Sequence, residues 1–528
     1  MQLLTSDNSI LDTLISIFGY NKLSYISDYF MFALMIFGVG YLAVRRRVTL
    51  RTIYVVLFSL FIYYKMEGLY LLLLLGVASS DFLIAHSVAT RRANGRGTRG
   101  GVALSAIINI SILVYFTASN FIETTINDLY GSGTLDWTDV AKVTGVSFFV
   151  FQSLAYVIDV SRGTIKPLDS FESYLFLLSF FPKLVCGPLV KAKDFIPQIE
   201  NPTPAVTRED AGRAAMLIAT GLFKLVLISQ VILTLFVGPA FAGDLGDGGL
   251  VALLAIYGFT MQLYCDFSGF SEFAQGLALM MGFRLPDNFN APYKSATITE
   301  FWRRWHITLS TWLKDYLYIS LGGNRKGKFR TYLNLFLTMF LGGLWHGVSL
   351  PFIAWGALHG IALALHKVWL SIVPGAKSVG SEMRPVWRVL ATIFTLHVVA
   401  FGWLLFNSKD METVGWMLHN IVNNFSFAEL GALDELSIIA LGVIVVGYIL
   451  HYLPRTLNDK LRVGITRSGF VGQWIVIAAT IFAVAECNLM LKEYKKEYNE
   501  AKKEAQANSS VEVQPAEDDG VKPAYAAF

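Results

Sequence analysis

The chain has 528 residues, 54% of them hydrophobic and 16% charged, against about 25% charged in an ordinary soluble protein. Its 43 Lys and Arg offset 39 Asp and Glu to a formal charge of +4, too little to draw the whole molecule to nucleic acid. Aromatics reach 14% and mean hydropathy is +0.51. Disorder, a collagen-like chain and a disulfide scaffold are excluded, and the composition is that of a polytopic membrane protein.

A spanning helix needs about 20 mostly apolar residues. In chain order, candidate runs lie near 28–45, 52–64, 68–88, 102–122, 140–160, 172–190, 213–240, 249–266, 331–346, 350–371, 387–407, 436–453 and 469–486. Those at 52–64, 172–190 and 331–346 are short, which predicts pairing, tilt or re-entry. The expectation is an all-α fold with about 11 transmembrane spans plus re-entrant or interfacial helices. The opening residues, with Asp7 and Asn8, do not read as a secretory signal, so insertion is expected to rely on internal spans. Cys186, Cys265 and Cys487 are too few and scattered for a disulfide framework.

Arg45, Arg46, Arg47 and Arg51 follow the first span, and Arg91, Arg92, Arg96 and Arg99 the third. Both groups are cytoplasmic by the positive-inside rule if 52–64 and 68–88 pair as a hairpin, which puts the N-terminus outside. The next loop carries Glu123, Asp128 and Asp136 and reads as an outer loop; Arg455, Lys460, Arg462 and Arg467 mark a late cytoplasmic one. Residues 1–490 read as one membrane domain, and 491–528 as a polar tail in which a helix fades into disorder.

The segment 284–330 is polar, aromatic and basic, and breaks the span pattern. Thr297 with Glu300 predicts a helix start, and Trp305, Leu309, Trp312 and Tyr316 recur on one face of an amphipathic, interfacial helix. Such a helix is either an anchor or part of a site. Asn324 and the basic run Arg325, Lys326, Lys328 and Arg330 follow, either a phosphate site for a soluble acyl donor or a topology signal. The run 335–346 ends in Trp345 and His346. An ionisable group at membrane depth is a candidate for function, and imidazole is the side chain suited to take a hydroxyl proton near neutral pH; a packing histidine is the alternative. His359 and His366 share a face of the next span beside Gly356 and Gly360, without the spacing of a metal site. Upstream, Gln262, Asp266, Ser268, Ser271 and Glu272 interrupt an apolar run, as a tunnel wall or as interhelical glue. Asp159, Arg162, Lys183 and Pro188 at span ends leave the same choice open.

WRRWHITLSTWLKDYLYISLGGNR (302–325) followed by LGGLWHG (341–347) resembles the membrane-bound O-acyltransferase family, and within it the bacterial alginate O-acetyltransferase subgroup. QLYCDFSGFSEFAQGLALMMGF (262–283), NFNAPY (288–293), GVSFFVFQSLAYVIDVSRG (145–163) and FPKLVCGPLVKAKDF (181–195) fit the same subgroup. The likeness is dense over residues 140–370; the N-terminal region and the Lys/Glu tail depart from it. It implies a ring of helices around a central tunnel in a bacterial inner membrane. It also implies acetyl-CoA as donor substrate, no cofactor or metal, and an exported polysaccharide or a periplasmic acetyltransferase partner as acceptor. By position in the motifs, His346 is the expected catalytic residue and His306 the second histidine, with Thr308 where the subgroup often has Ser. Trp305, Asp266, Ser268, Asn324, Arg325 and Trp345 are the donor and tunnel candidates, and His306 is expected to orient the donor or to donate to the thioester oxygen. Peptidoglycan O-acetylation and teichoic-acid D-alanylation are rival functions within the family, and a transporter is the rival outside it.

Overall fold

The computed structural model describes residues 27–130, 143–203 and 205–508. Backbone that must satisfy its own hydrogen bonds in hydrocarbon has the helix as its open route, and the described residues form helices joined by turns, without a strand among them. They divide into two compact units. One holds residues 27–116, the described part of 143–206, and 280–284; the other holds 117–130, 207–279 and 285–508.

The first unit contains α1 (Asp28–Val44), α2 (Val48–Glu67), α3 (Leu71–Ala93), the first half of α4 (Arg99–Tyr130), α5 (Val146–Arg162), α6 (Phe171–Ser179), α7 (Phe181–Leu184) and α8 (Ala192–Glu200). A single tight turn, Gly68–Tyr70, joins α2 to α3; α2 then packs on α6 and α7, while α3 packs chiefly on α5. The apolar run at 172–190 is broken at Phe180 because Pro182 follows: proline suits a first helical turn but not an interior. Arg51, read from sequence as a topology charge, is instead fully buried. Its guanidinium donates to Asn201 O at 3.0 Å, bonds Thr203 Oγ1 and Ile199 O, and lies 5.3 Å from the centre of the Phe283 ring. Asp81, also buried, accepts from Ser153 Oγ at 2.6 Å and Asn109 Nδ2 at 2.7 Å, tying α3 to α5 and α4. Lys183 donates to Gln152 Oε1 and Leu177 O.

The second unit begins with the helical run α9 (Arg208–Phe241), which widens into π-helix at Phe223–Gln230 and Leu233–Val237, and α10 (Gly249–Met280). Then come α11 (Ile298–Trp302), α12 (Ile307–Trp312, continued as π-helix over Leu313–Tyr318), α13 (Gly327–His346), α14 (Leu350–Ile372) and α15 (Pro385–Asn407). The last are α16 (Met411–Asn423), α17 (Glu435–Tyr452), α18 (Arg455–Arg467) and α19 (Gly469–Asn508). α13 and α14 form a close hairpin. A Cβ on Gly343 would fall 2.4 Å from Phe352 O, and one on Gly356 2.8 Å from Met339 O, so small residues are a steric requirement of this contact.

Among the described residues, eight helical runs are long and apolar enough to span a membrane, with Val48–Ala93 counted as one. The expected eleven exceeds this because 172–190 is broken, α1 and α5 have 17 residues each, and α13 opens with Lys328 and Arg330. The stretch from 491 continues α19 as far as Asn508, with Leu491 buried and Lys502 paired to Asp244 at 3.0 Å. Asp7, Asn8, Asp136 and residues 509–528 lie outside the described residues.

Candidate active site

The polar segment of 284–330 does not form the single interfacial helix expected from its aromatic stripe. Thr297 does cap a helix, accepting from Glu300 N at 3.1 Å, but that helix stops at Trp302 and a new one starts at Ile307. His306 sits at the break in the left-handed region, at φ 40°, a conformation unusual for a residue with a Cβ. The stripe is also not a membrane-facing surface, since Phe301, Trp305, His306 and Leu309 are buried in the protein.

Asn288 holds His306. Its Oδ1 accepts from Thr308 N at 3.3 Å and Thr308 Oγ1 at 2.9 Å, and contacts His306 Nδ1 at 3.0 Å. A backbone N–H can only donate, so this atom is the amide oxygen, and His306 Nδ1 carries the proton. Nε2 is then the lone-pair nitrogen. Burial pushes the pKa of His306 from 6.5 to about 3, which keeps the ring neutral at physiological pH. His306 is thereby held with Nδ1 as its donor nitrogen and Nε2 as its acceptor nitrogen. Asn288 in turn donates to Ser271 Oγ at 3.1 Å.

His346 ends α13, half-buried in a nest of rings: Trp345 at 4.3 Å, Phe406 at 4.9 Å, Trp355 at 5.3 Å and Phe352 at 5.9 Å between centroids. His346 and His306 both line one small chamber of about 20 Å³, together with Trp305, Trp345, Gly342 and Met339. That is the room needed by one or two waters. The Nε1 atoms of Trp302 and Trp355, which also line it, have no hydrogen-bond acceptor among the described residues. Indole nitrogen is donor-only, so two residues of the wall carry buried donors that no described acceptor satisfies, while the surface the chamber itself exposes is almost entirely apolar.

Beside the chamber lies a vestibule of about 470 Å³, and Trp302, Leu313 and Met339 line both. Arg303, Lys314 and Lys367 face the vestibule with Thr299, Tyr318 and Asn324. Asn324, singled out in the sequence, is thus present and accepts from Tyr318 Oη. The cations are not those of the conspicuous basic run: Arg325 lines neither cavity. Asp266 and Ser268 line neither as well. Asp266 accepts from Ser229 Oγ at 3.3 Å, and Gln262 donates to the same Ser229 at 3.1 Å, an arrangement that joins α10 to α9. His359 is fully buried among Trp302, Trp355 and Phe301, and His366 Nδ1 meets Thr299 Oγ1 at 2.7 Å. Among the described residues, no cluster of three His, Cys, Asp or Glu has metal-binding geometry.

Sequence reasoning missed Asn288, Arg303, Lys314 and Lys367. Asn288 lies in a loop 18 residues before the histidine it bonds; the motifs 288–293 and 302–325 contain Asn288, Arg303 and Lys314, but nothing in either marks which residue bonds His306 or faces a cavity.

Spanning helices and an aromatic chamber lined by two histidines fit a membrane-embedded transferase. The chain belongs to the membrane-bound O-acyltransferase family, whose sequence profile matches residues 108–401. It is 36% identical over 428 residues to the probable alginate O-acetylase AlgI of Pseudomonas aeruginosa, covering 80% of this chain and 78% of that protein. Identity to the peptidoglycan O-acetyltransferase of Helicobacter pylori is 31% over 448 residues, with 78% and 82% covered. The teichoic acid D-alanyltransferase of Bacillus subtilis is 29% identical over 287 residues, or 51% and 69% of the two chains. The chain is an acyltransferase with multiple membrane spans, and the transporter alternative falls away.

Proposed function

We propose that this protein passes an acetyl group from acetyl-CoA on the cytoplasmic side of a bacterial inner membrane toward O-acetylation of an exported, alginate-like polysaccharide. The acceptor is the polymer itself or a periplasmic acetyltransferase that hands the group on. The observation that carries this reading is the shared wall: the chamber of His346 and His306 and the cationic vestibule have Trp302, Leu313 and Met339 in common. A polyanionic donor suits Arg303, Lys314 and Lys367 at the vestibule, and its thioester end reaches the chamber past the shared residues.

In the transfer step His346 removes the proton of the acceptor hydroxyl as the new C–O bond forms. The thioester C–S bond breaks, and the departing thiolate recovers the proton from His346. His306, held by Asn288, positions the substrate at the chamber wall. Identity of 36% to the alginate O-acetylase against 31% to the peptidoglycan O-acetyltransferase, over similar shares of the chain, supports the exopolysaccharide acceptor over peptidoglycan.

The test uses protein reconstituted in liposomes with labelled acetyl-CoA and de-acetylated alginate oligosaccharides. Release of CoA with label on the oligosaccharide should fall by about 10³-fold in His346→Ala. Equal transfer by a folded His346→Ala protein removes His346 from the mechanism. Label on peptidoglycan fragments alone assigns the other acceptor.

A further inference from the structure

Gly342 and Gly343 are consecutive in α13, yet their surroundings differ. The contact with α14 explains Gly343, where a Cβ would lie 2.4 Å from Phe352 O. A Cβ on Gly342 would meet a single atom, Leu313 Cδ1, at 3.9 Å, an ordinary contact. Packing thus has room for alanine at 342, and alanine is the better helix former. What the missing methyl leaves open is the chamber: Met339, Gly342 and His346, spaced by three and four residues along one helix face, all line it.

Leu313 closes the opposite side, and it also faces the vestibule, as Met339 does. The space between them is small, about 20 Å³ in all, so each further methylene on an acyl group has to displace Leu313 or Met339. We infer that this chamber is the acyl pocket, and that Gly342 as its floor, with Leu313 and Met339 as its walls, restricts the enzyme to two-carbon acyl groups. The inference rests on the acyl-CoA reaction proposed above and adds the residues that set acyl length.

The experiment offers acetyl-, propionyl- and butyryl-CoA to the full-length protein in liposomes, with de-acetylated alginate oligosaccharides as acceptor. Wild type should favour acetyl over butyryl by about 100-fold, in line with the discrimination a tight pocket gives per methylene. Gly342→Ala should melt no lower than wild type and lose about tenfold or more in acetyl transfer, since its methyl occupies the pocket. Met339→Ala should raise the butyryl-to-acetyl ratio by about tenfold, and Leu313→Ala provides the same measurement if Met339→Ala fails to fold. Wild-type transfer rates in Gly342→Ala, or an unchanged ratio in both enlarging variants, overturn the assignment. Failure of the wild-type protein to bind labelled acetyl-CoA in the same liposomes is a distinct result, which overturns the proposed donor and the pocket with it.

Discussion

In the first unit, buried charge is met by hydrogen bonds: Arg51 bonds Asn201 O, Thr203 Oγ1 and Ile199 O, and Lys183 bonds Gln152 and Leu177 O. Around the chamber of the second unit, imidazole and indole groups are set among apolar rings beside an open space. Polar groups inside a membrane protein are costly in both places. Where neighbouring carbonyls and amides absorb that cost, the result is architecture. Where such residues line a cavity instead, as His306, His346, Trp302 and Trp355 do, the fold leaves space beside them. Burial of a charged or polar residue therefore does not identify a site; whether it also lines a cavity is the further observation.

Three variants, two single and one double, sharpen this contrast. Arg51→Ala leaves the Ile199 and Asn201 carbonyls without their donor and should cost about 3 kcal/mol of stability, read as a lower melting temperature in detergent, with turnover per folded molecule unchanged. Loss of turnover without loss of stability would move Arg51 from architecture to function. Asn288→Ala releases the His306 tautomer and should lower kcat by about 100-fold, roughly 2.7 kcal/mol of barrier, with a smaller change in melting. A purely structural Asn288 would show the reverse pattern. Smallest is the effect of Lys314→Ala with Lys367→Ala. Both lysines are exposed at the vestibule, so the pair should raise the KM for acetyl-CoA by about three- to tenfold, with the difference shrinking at high salt. An unchanged KM would place the donor phosphates elsewhere.

How far the sequence could be read depended on whether the signal was local. Apolar runs marked the helices, and motifs with His306, Trp305, Trp345 and His346 marked residues that the fold brings into one chamber. The break at His306 was hidden, because a histidine rather than a glycine takes the left-handed turn there. Its support by Asn288 was equally hidden, being made across a loop. The run Arg325 to Arg330 left a phosphate site and a topology signal both open; Arg325 lines neither cavity, while cations on α12 and α14, with Arg303 between helices, face the vestibule. Asp266 drew attention as an intramembrane carboxylate, and its bond to Ser229 shows a helix–helix tie.

The π-helical stretch Leu313–Tyr318 carries one more residue per turn than the α-helix that precedes it. Leu313, Lys314 and Tyr318, all from that stretch, line the vestibule. The cavity is therefore built on a surplus residue, and chain length matters here as much as chemistry. Deleting Asp315 would let the stretch relax to α-helix and rotate everything beyond it by about 100°. Tyr318 and Asn324 would then turn away with their side chains intact. Insertions and deletions in these six residues should accordingly be tolerated far less well than substitutions, a pattern a length-variant library would expose.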